Sequence, residues 1–210
     1  METERRQLLA KIAQYRRQPS LLGESPRLLP LLEQMERCLP SCTPLVIAID
    51  GRAASGKTTL ARQLAAEFGA GVVHVDDFFL PTELRTPQRL AQPGGNVHYE
   101  RFTQQVLPHL HSVEGFFYTK FDCKTMKYSG EEWVRGGIIR VVEGAYSCHP
   151  VFGDYADITV FSDVDPVEQN RRIQLRNGLE MAKIFQQKWI PMEEQYFSHT
   201  KLFGKTDVSV

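Results

Sequence analysis

The sequence predicts an α/β fold, a P-loop NTPase three-layer sandwich in which helices cover both faces of a mostly parallel sheet. Short apolar runs rich in β-branched residues alternate along the chain with stretches whose apolar residues recur at helical spacing. The run at residues 45–50 passes directly into a loop of small residues and then into a helical pattern at residues 57–66. A strand, a glycine-bounded loop and a helix in that order are the signature of a phosphate-binding loop.

The phosphate-binding loop follows the pattern G-x-x-x-x-G-K-T. Gly51 and Gly56 allow backbone angles and close approaches that a residue with a Cβ atom resists. The amides of the loop can then point at phosphate oxygens at the positive end of the following helix. We expect Lys57 to reach the outer phosphates of a nucleoside triphosphate and Thr58 to offer its hydroxyl to Mg²⁺. The predicted nucleotide-binding residues are Gly51, Arg52, Ala53, Ala54, Ser55, Gly56, Lys57, Thr58 and Thr59.

The composition is that of an ordinary globular protein, with 42% hydrophobic and 24% charged residues among 210. Lysines and arginines number 25 and balance 25 aspartates and glutamates, so no global positive field favours nucleic acid or an anionic membrane as a partner. No apolar run approaches the roughly 20 residues that span a bilayer. The 4 cysteines form no C-x-x-C pair, and the N-terminus lacks a signal-peptide core, so we expect free thiols and a cytoplasmic location.

Residues 1–44 are predicted to form a helical N-terminal extension packed on the core, and residues 45–210 to form the P-loop domain. Apolar side chains share one face of a helix over residues 4–17. Such a face suits a partner, a membrane surface or the domain itself, and we favour the domain. A second short helix, rich in leucine, is expected to end before Pro40.

Acidic residues follow two of the predicted buried strands. Residues 72–75 form an apolar strand that ends at Asp76 and Asp77, and residues 138–144 form another that ends with Glu143. Because functional groups of a parallel sheet gather at the carboxyl ends of its strands, we expect these carboxylates near the phosphate-binding loop. One aspartate can accept the proton of an acceptor hydroxyl, while another carboxylate can bind a water of the Mg²⁺ shell.

The remaining elements complete the sheet and its cover. We expect a loop at residues 80–98, a helix at 99–110, an edge strand at 116–122, a buried strand at 157–161 and helices over 166–200. Asp165 is the predicted N-cap of the first of these last helices. Its arginines, which include Arg172 and Arg176, either close over transferring phosphates or form a solvated basic face. The residues expected in the core nearby are Trp189, Ile190, Met192, Tyr196 and Phe197.

In combination, these motifs resemble those of uridine kinases and, more broadly, of the uridine kinase, nicotinamide riboside kinase and phosphoribulokinase group. The matching segments are Asp50 to Thr59, Asp76-Asp77-Phe78-Phe79, Gly95 to Phe102, Val142-Glu143-Gly144 and the helix of Asp163 to Arg176. The resemblance implies a fold of the nucleoside-monophosphate-kinase type, with Mg-ATP as donor and an alcohol of a small metabolite as acceptor. It implies Asp76 as the catalytic base, with Thr58, Asp76 and Glu143 on the Mg²⁺ side. It also implies that Lys57, Arg172 and Arg176 act on the transferring phosphate.

The predicted acceptor site departs from the family pattern at two positions. The residues expected there are Asp77, Phe79, Asn96, His98, Tyr99, Arg101 and Phe121. Where the family carries Asn-x-Asp, this chain has Asn96-Val97-His98, and a histidine cannot hold two neighbouring hydroxyls as a carboxylate can. Met126 stands where the pyrimidine-specific enzymes carry a histidine. We therefore expect weak activity on uridine and cytidine.

Several functions fit these residues at this point. One is a kinase that acts on a nucleoside-like or other hydroxyl metabolite, and a second is a pantothenate- or sugar-kinase-like activity on the same scaffold. A third is an ATP-binding regulatory protein without turnover, and ATP consumption with an acceptor separates it from the first two. A small molecule is the expected partner, and the sequence is compatible with a homodimer.

Overall fold

The computed structural model describes residues 2–22 and 27–210, which form both helices and strands. The helices are α1 (Glu2–Arg17), α2 (Leu28–Cys38), α3 (Lys57–Phe68), α4 (Pro87–Leu90), α5 (Tyr99–Gln105), α6 (Pro166–Ile184) and α7 (Ile190–Thr200). The strands are β1 (Leu45–Gly51), β2 (Gly71–His74), β3 (Phe116–Asp122), β4 (Lys127–Val134), β5 (Ile139–Glu143), β6 (Ile158–Ser162) and β7 (Val208–Ser209). In this part of the chain, no helix has the length and apolarity needed to cross a bilayer.

The main sheet has the strand order β2-β5-β1-β6-β7, and its described pairs are all parallel. β1 lies at the centre and is buried along its whole length. Its side chains alternate between two apolar clusters: Leu45, Ile47 and Ile49 belong to the first cluster, and Val46 belongs to the second. Both faces of the sheet are therefore covered, which confirms the predicted three-layer α/β sandwich.

Helices α1, α2 and α3 cover the first face of the sheet. Leu8 and Ile12 of α1 are buried in the first cluster. The helix is also tied to the end of α3, where the Lys11 ammonium donates to the Glu67 carbonyl at 2.5 Å and the Tyr15 hydroxyl donates to the Glu67 carboxylate. The apolar face of α1 thus packs on the domain itself.

The second face carries α5, α7 and a separate antiparallel hairpin of β3 and β4. The sequence did not predict β4, because its residues are mostly polar and exposed and show no apolar alternation. It also missed the short edge strand β7. α5 ends at Gln105 rather than at residue 110, since Pro108 has no amide hydrogen to continue the helix and Leu107–His109 form a 3₁₀ turn instead.

A buried arginine fixes the base of the hairpin. Arg140, near the start of β5, is fully buried. Its guanidinium donates to the carbonyl oxygens of Ser112 at 2.9 Å, Glu114 at 2.5 Å and Arg135 at 2.6 Å. Burial lowers the pKa of Arg140, and the three carbonyls replace the water that the guanidinium has lost. Because these carbonyls flank β3 and β4, one side chain sets where the hairpin leaves the sheet.

Helix α6 begins at the predicted cap and is interrupted at one glycine. Asp165 accepts the amides of Val167 at 2.8 Å and Glu168 at 3.3 Å, which confirms the N-cap. Gly178 has φ 81° and breaks the helical geometry inside α6. A π-helical turn at Phe185–Trp189 then joins α6 to α7.

Five residues after α6 were predicted to lie in the core, and two of them are fully packed there. Tyr196 and Phe197 are buried in the second cluster. Trp189, Ile190 and Met192 are only partly buried. Trp189 and Met192 line a cavity instead, because the π-helical turn rotates this part of the chain toward it.

Replacement of Ile12 by alanine tests whether α1 belongs to the stable core. Ile12 is fully buried in the first cluster, so we expect the free energy of unfolding to fall by about 2–5 kcal/mol. Leu21→Ala is the matched control, because Leu21 is 50% exposed and its truncation should cost less than about 0.5 kcal/mol. Urea unfolding followed by circular dichroism measures both variants. If both variants lowered the free energy of unfolding by equally small amounts, the packing of Ile12 on the core would not contribute to domain stability.

Candidate functional site

The loop between β1 and α3 contains three residues with positive φ. Gly51 has φ 135°, and a Cβ atom built on it would lie 2.0 Å from the Ser162 carbonyl oxygen on β6. Ala54 has φ 58°, and Gly56, which precedes α3, has φ 106°. The first glycine of the motif is therefore required for the close approach of β1 and β6 as well as for the path of the loop.

Lys57 and Thr58 lie at the start of α3. The Lys57 ammonium donates to the carbonyl oxygens of Gly51 and Arg52, both at 2.8 Å. The Thr58 hydroxyl lies 3.2 Å from both carboxylate oxygens of Glu143, which is the last residue of β5. The structure thus brings the loop together with the carboxylate expected on the Mg²⁺ side.

Arg52 is turned away from the face of the loop where the nucleotide was expected. Its guanidinium pairs with Asp163 at 2.8 Å and with Glu194. It also lies over the rings of Phe197 and Phe203, while its amide donates to the Ser162 carbonyl. The Arg52 side chain thus anchors the outer side of the loop to α7, and contact of this loop residue with a nucleotide stays a prediction.

Asp50, the residue before the loop, is fully buried, and its carboxylate accepts four hydrogen bonds. Its carboxylate accepts the amides of Gly51 at 2.7 Å, Tyr146 at 3.1 Å and Cys148 at 2.9 Å. It also accepts the Tyr196 hydroxyl at 2.8 Å. Burial raises the pKa of Asp50, and these hydrogen bonds lower it. The carboxylate joins β1, the segment after β5 and α7 at one point.

Asp76 lies in a 3₁₀ turn, Val75–Phe78, directly after β2. The residue keeps contact with solvent where it lines a cavity. Desolvation by the surrounding protein raises the pKa of Asp76, as does the charge of Glu143, while Lys57 and His74 lower it. A carboxylate with a raised pKa accepts a proton more readily than one with an ordinary pKa.

His74 was not singled out by the sequence, because it lies within an apolar strand pattern. Its Nδ1 atom lies 2.5 Å from Oε1 of Glu143. The hydrogen bond to Glu143 raises the pKa of His74, and burial opposes it. Glu143 is therefore held from two sides, by His74 and by Thr58.

Lys57, Thr58, Asp76 and Glu143 face one cavity of about 790 Å³, a volume within the range of small-molecule sites. The loop residues that line it are Ala53, Ala54, Gly56, Lys57, Thr58 and Thr59. Three carboxylates, Asp76, Glu143 and Glu193, and six cations, Lys57, Arg85, Lys124, Arg172, Arg176 and Lys188, also line it. Ser55 is fully buried, and its hydroxyl has no hydrogen-bond partner within the described residues.

Glu193 on α7 was not predicted and contacts the phosphate-binding loop directly. Its carboxylate accepts the Ala53 amide at 2.9 Å. Burial raises the pKa of Glu193 to about 7, while Lys57 and the bond from Ala53 lower it. A negative charge therefore sits beside a loop whose motif selects anions, and no short sequence motif could have indicated it.

The two arginines predicted to close over the phosphates both line the cavity. Arg172 donates to Glu168 at 2.7 Å and to the Ala54 carbonyl at 3.2 Å. Arg176 donates to the Asn177 side chain at 2.8 Å. Both therefore face the loop from α6, and Arg172 contacts it directly. Arg85, Lys124 and Lys188 were missed, because single cations in loops and turns carry no sequence signal.

Asp77 and Arg101, expected at the acceptor, are engaged elsewhere. The Asp77 carboxylate accepts the Tyr118 hydroxyl at 2.7 Å. Arg101 donates to the carbonyl oxygens of Asp77 and Thr119, and its guanidinium lies over the Phe78 ring. Among the described residues that line the cavity, neither Asp77 nor Arg101 appears, because they join the turn after β2 to the hairpin.

His98 caps a helix instead of facing the cavity. Its Nδ1 atom accepts the Arg101 amide at 3.3 Å at the start of α5 and lies 3.2 Å from Glu100. Burial lowers the pKa of His98, and Glu100 opposes this effect. His98 is not among the described residues that line the cavity, so its placement differs from our expectation of contact with the acceptor.

Of the other four residues predicted to contact the acceptor, two are among the described residues that line the cavity and two are not. Phe79 and Asn96 line the cavity, and the Asn96 Oδ1 atom is buried with no hydrogen-bond partner within the described residues. Tyr99 stacks on the His149 ring at 4.8 Å. Phe121 is buried, and neither it nor Tyr99 is among the described cavity residues. These two aromatic rings pack in the structure, as apolar residues in regular elements usually do.

The groups around Thr58 fit a magnesium ion that completes its shell with water and phosphate. Mg²⁺ is usually held by one or two carboxylates together with substrate phosphates. Glu143 contacts Thr58, and its charge acts on Asp76, so two carboxylates and a hydroxyl are available there. Within residues 2–22 and 27–210, no group of three His, Cys, Asp or Glu side chains is arranged to hold a metal alone.

No protein-family model matches the chain, and the comparison with curated proteins found no relative. Among solved structures, a protein described as a possible uridine kinase, from Bacillus stearothermophilus, is 20% identical with a TM-score of 0.60, over 85% of this chain and 98% of that one. A protein provisionally assigned as a fructose transport system kinase, from Silicibacter sp. TM1040, is 21% identical with a TM-score of 0.65, over 86% of this chain and 95% of that one. The chain thus has the fold of P-loop small-molecule kinases, which confirms the resemblance at the level of fold.

Glu193→Gln is expected to tighten the binding of a triphosphate, and to do so more at about pH 8 than at about pH 6. The pKa of Glu193 is raised to about 7, so its carboxylate is mainly charged above that pH and mainly neutral below it. Glutamine keeps an oxygen for the Ala53 amide but removes the charge. Isothermal titration with a non-hydrolysable ATP analogue and Mg²⁺ measures the effect.

Glu131→Gln is the matched control for this experiment, because Glu131 is an exposed residue of β4. Its affinity for the analogue should equal that of the wild type at both pH values. Should Glu193→Gln bind the analogue no better than the wild type at the higher pH, the carboxylate does not oppose the triphosphate.

Proposed function

We propose that this protein transfers the γ-phosphate of ATP to an alcohol of a small metabolite, as a kinase of uridine kinase type. The observation that carries the proposal is the convergence of Lys57, Asp76, Glu143 and the α6 arginines on one cavity. Elements far apart in the sequence supply these groups. A solvated surface or a purely structural cluster would not require that convergence.

The phosphate-binding loop is the proposed donor site. Backbone amides at the start of α3 would bind the phosphates, and the Lys57 ammonium already lies against the loop at 2.8 Å from two of its carbonyls. Arg172 and Arg176 face the loop from α6. Their guanidinium groups would spread the charge of the transferring phosphoryl group.

Asp76 is the proposed proton acceptor. In the reaction, a bond forms between the acceptor oxygen and the γ-phosphorus while the bond from that phosphorus to the β–γ bridging oxygen breaks. The proton of the acceptor hydroxyl passes to the Asp76 carboxylate. Asp76 lines the same cavity as the phosphate-binding loop, so an acceptor hydroxyl bound there would have its carboxylate as a proton acceptor.

Thr58, Glu143 and Asp76 would hold Mg²⁺, which when bound offsets the charge of the phosphates. His74 supports this arrangement, because its hydrogen bond fixes one oxygen of Glu143. The second oxygen of Glu143 stays within 3.2 Å of the Thr58 hydroxyl. Glu143 would therefore bind the metal or a water of its shell.

The acceptor chemistry is open between nucleoside-like and sugar-like compounds. The similar solved structures are described as a possible uridine kinase and provisionally as a fructose transport system kinase, which supports testing both classes. ADP release is measured with panels of nucleosides, sugars and vitamins. If no compound raises ATP consumption above the rate in its absence, the protein is a nucleotide-binding regulator and the proposal fails.

Asp76→Asn is expected to lower turnover by about 10²–10⁴-fold with the affinity for ATP nearly unchanged, because the proton acceptor is lost. Asp77→Asn is the matched control. Asparagine can still accept the Tyr118 hydroxyl that Asp77 binds, so turnover should fall by less than about tenfold. Steady-state ADP release with the best acceptor of the panel measures both. The reverse ranking would mean that Asp77 is the base.

Lys57→Ala is expected to abolish triphosphate binding or turnover while the fold persists, because it removes a charge aimed at the phosphates. Titration with the ATP analogue and circular dichroism measure these two properties. Lys205→Ala, at an exposed position, should behave as the wild type. Normal affinity together with normal activity in Lys57→Ala would refute the donor site.

A further inference from the structure

Two cations that line the cavity, Arg85 and Lys124, form no ion pair with a carboxylate within the described residues, although the charge of Lys124 acts on Asp122 beside it. Asp76 and Asn96 line the cavity with them. Arg172, in contrast, pairs with Glu168. Positive charge in a concave site that lacks an internal partner attracts an anionic ligand.

Arg85 is held close to the proposed base. Its Nε donates to the Leu80 carbonyl at 2.8 Å, and its side chain is also hydrogen-bonded to Cys123. Partial burial raises the pKa of the Cys123 thiol, and a hydrogen bond and the charge of Arg85 lower it, while the charge of Asp76 raises it. Arg85, Cys123 and Asp76 therefore share one neighbourhood.

Lys124 reaches the same cavity from the tip of the hairpin. The Asp122 carboxylate accepts the Lys124 amide at 2.8 Å and the Thr125 hydroxyl at 3.0 Å. These bonds give the turn between β3 and β4 a defined shape. The exposed Lys124 side chain is thereby presented to the cavity.

A third observation, on Asn96, favours a ligand near these cations. Asn96 is 5% exposed, and its Oδ1 atom has no hydrogen-bond partner within the described residues. A buried carbonyl oxygen without a donor is costly, and a ligand hydroxyl would satisfy it. The phosphate-binding loop has its own cations, Lys57 together with Arg172 and Arg176, so the triphosphate does not need Arg85 or Lys124.

We propose that the acceptor carries an anionic group, a carboxylate or a phosphate, which Arg85 and Lys124 bind while its hydroxyl faces Asp76 and Asn96. The inference rests on the proposed function and names the class of its acceptor. A guanidinium binds either anion through two parallel hydrogen bonds, and the ammonium adds a point charge. The two cations also offset the repulsion between an anionic acceptor and the Asp76 carboxylate.

Matched pairs of hydroxyl compounds test the proposal. Ribose is compared with ribose 5-phosphate, and glycerol with glycerate, by isothermal titration in the presence of Mg²⁺ and a non-hydrolysable ATP analogue. We expect an anionic member to bind about tenfold or more tightly than its neutral partner. The phosphate and carboxylate pairs distinguish the two sources of negative charge. ADP release with ATP and the same four compounds, and with uridine and fructose, measures turnover.

Arg85→Gln and Lys124→Gln should each weaken binding of the favoured anion by about tenfold or more and leave the affinity for the ATP analogue within about twofold. Lys127→Gln is the matched control, because Lys127 is an exposed cation of the same hairpin and is not among the described cavity residues. It should bind every compound as the wild type does.

Three results would overturn the inference: no anionic compound binds more tightly than its neutral partner, the two variants leave anion binding unchanged, or they weaken the ATP analogue instead. Turnover of uridine or fructose that neither variant affects would also overturn it, and would leave the proposed kinase function intact. Anion binding that depends on Arg85 and Lys124, without ADP release from any compound, would refute the proposed function and support the anion site.

Discussion

The rest of the site depends on the hydrogen bonds of one buried carboxylate. Asp50 ends the apolar part of β1 and accepts donors from Gly51, from the segment after β5 and from Tyr196 on α7. Each of these segments continues into the cavity wall. A buried carboxylate that lost one donor would be strongly penalised. The positions of the phosphate-binding loop and α7 are consequently fixed relative to each other before any ligand arrives.

Two adjacent glutamates of α7 contact the phosphate-binding loop on its two sides. Glu194 pairs with Arg52 on the outer side and anchors the loop. Glu193 accepts the Ala53 amide on the cavity side, which holds this amide in place. Preorganised amides bind anions well because little reorganisation is needed. If the loop binds a triphosphate as proposed, the phosphate would have to compete with Glu193 for this amide.

The sequence predicted what depends on short stretches and missed what depends on distant contacts. The loop at residues 51–59, the strand that ends at Glu143 and the cap at Asp165 are local patterns, and the structure contains each of them. Partners brought in by tertiary packing, such as Glu193, left no periodic or motif signal. His98 was predicted to contact the acceptor from its place in a family motif, whereas in the structure its side chain caps the start of α5.

The buried Arg140 lies at the base of the hairpin, and the exposed Lys124 lies at its tip. A small rotation of the hairpin at its base therefore moves the tip by a larger distance. β3 has 7 residues, and at about 3.3 Å per residue the tip lies on the order of 20 Å from the base. A tilt of about 5° at the base displaces the tip by about 2 Å, a large fraction of a hydrogen-bond length. A small change around Arg140, which is not among the described residues of the cavity, would therefore move Lys124 at the cavity wall.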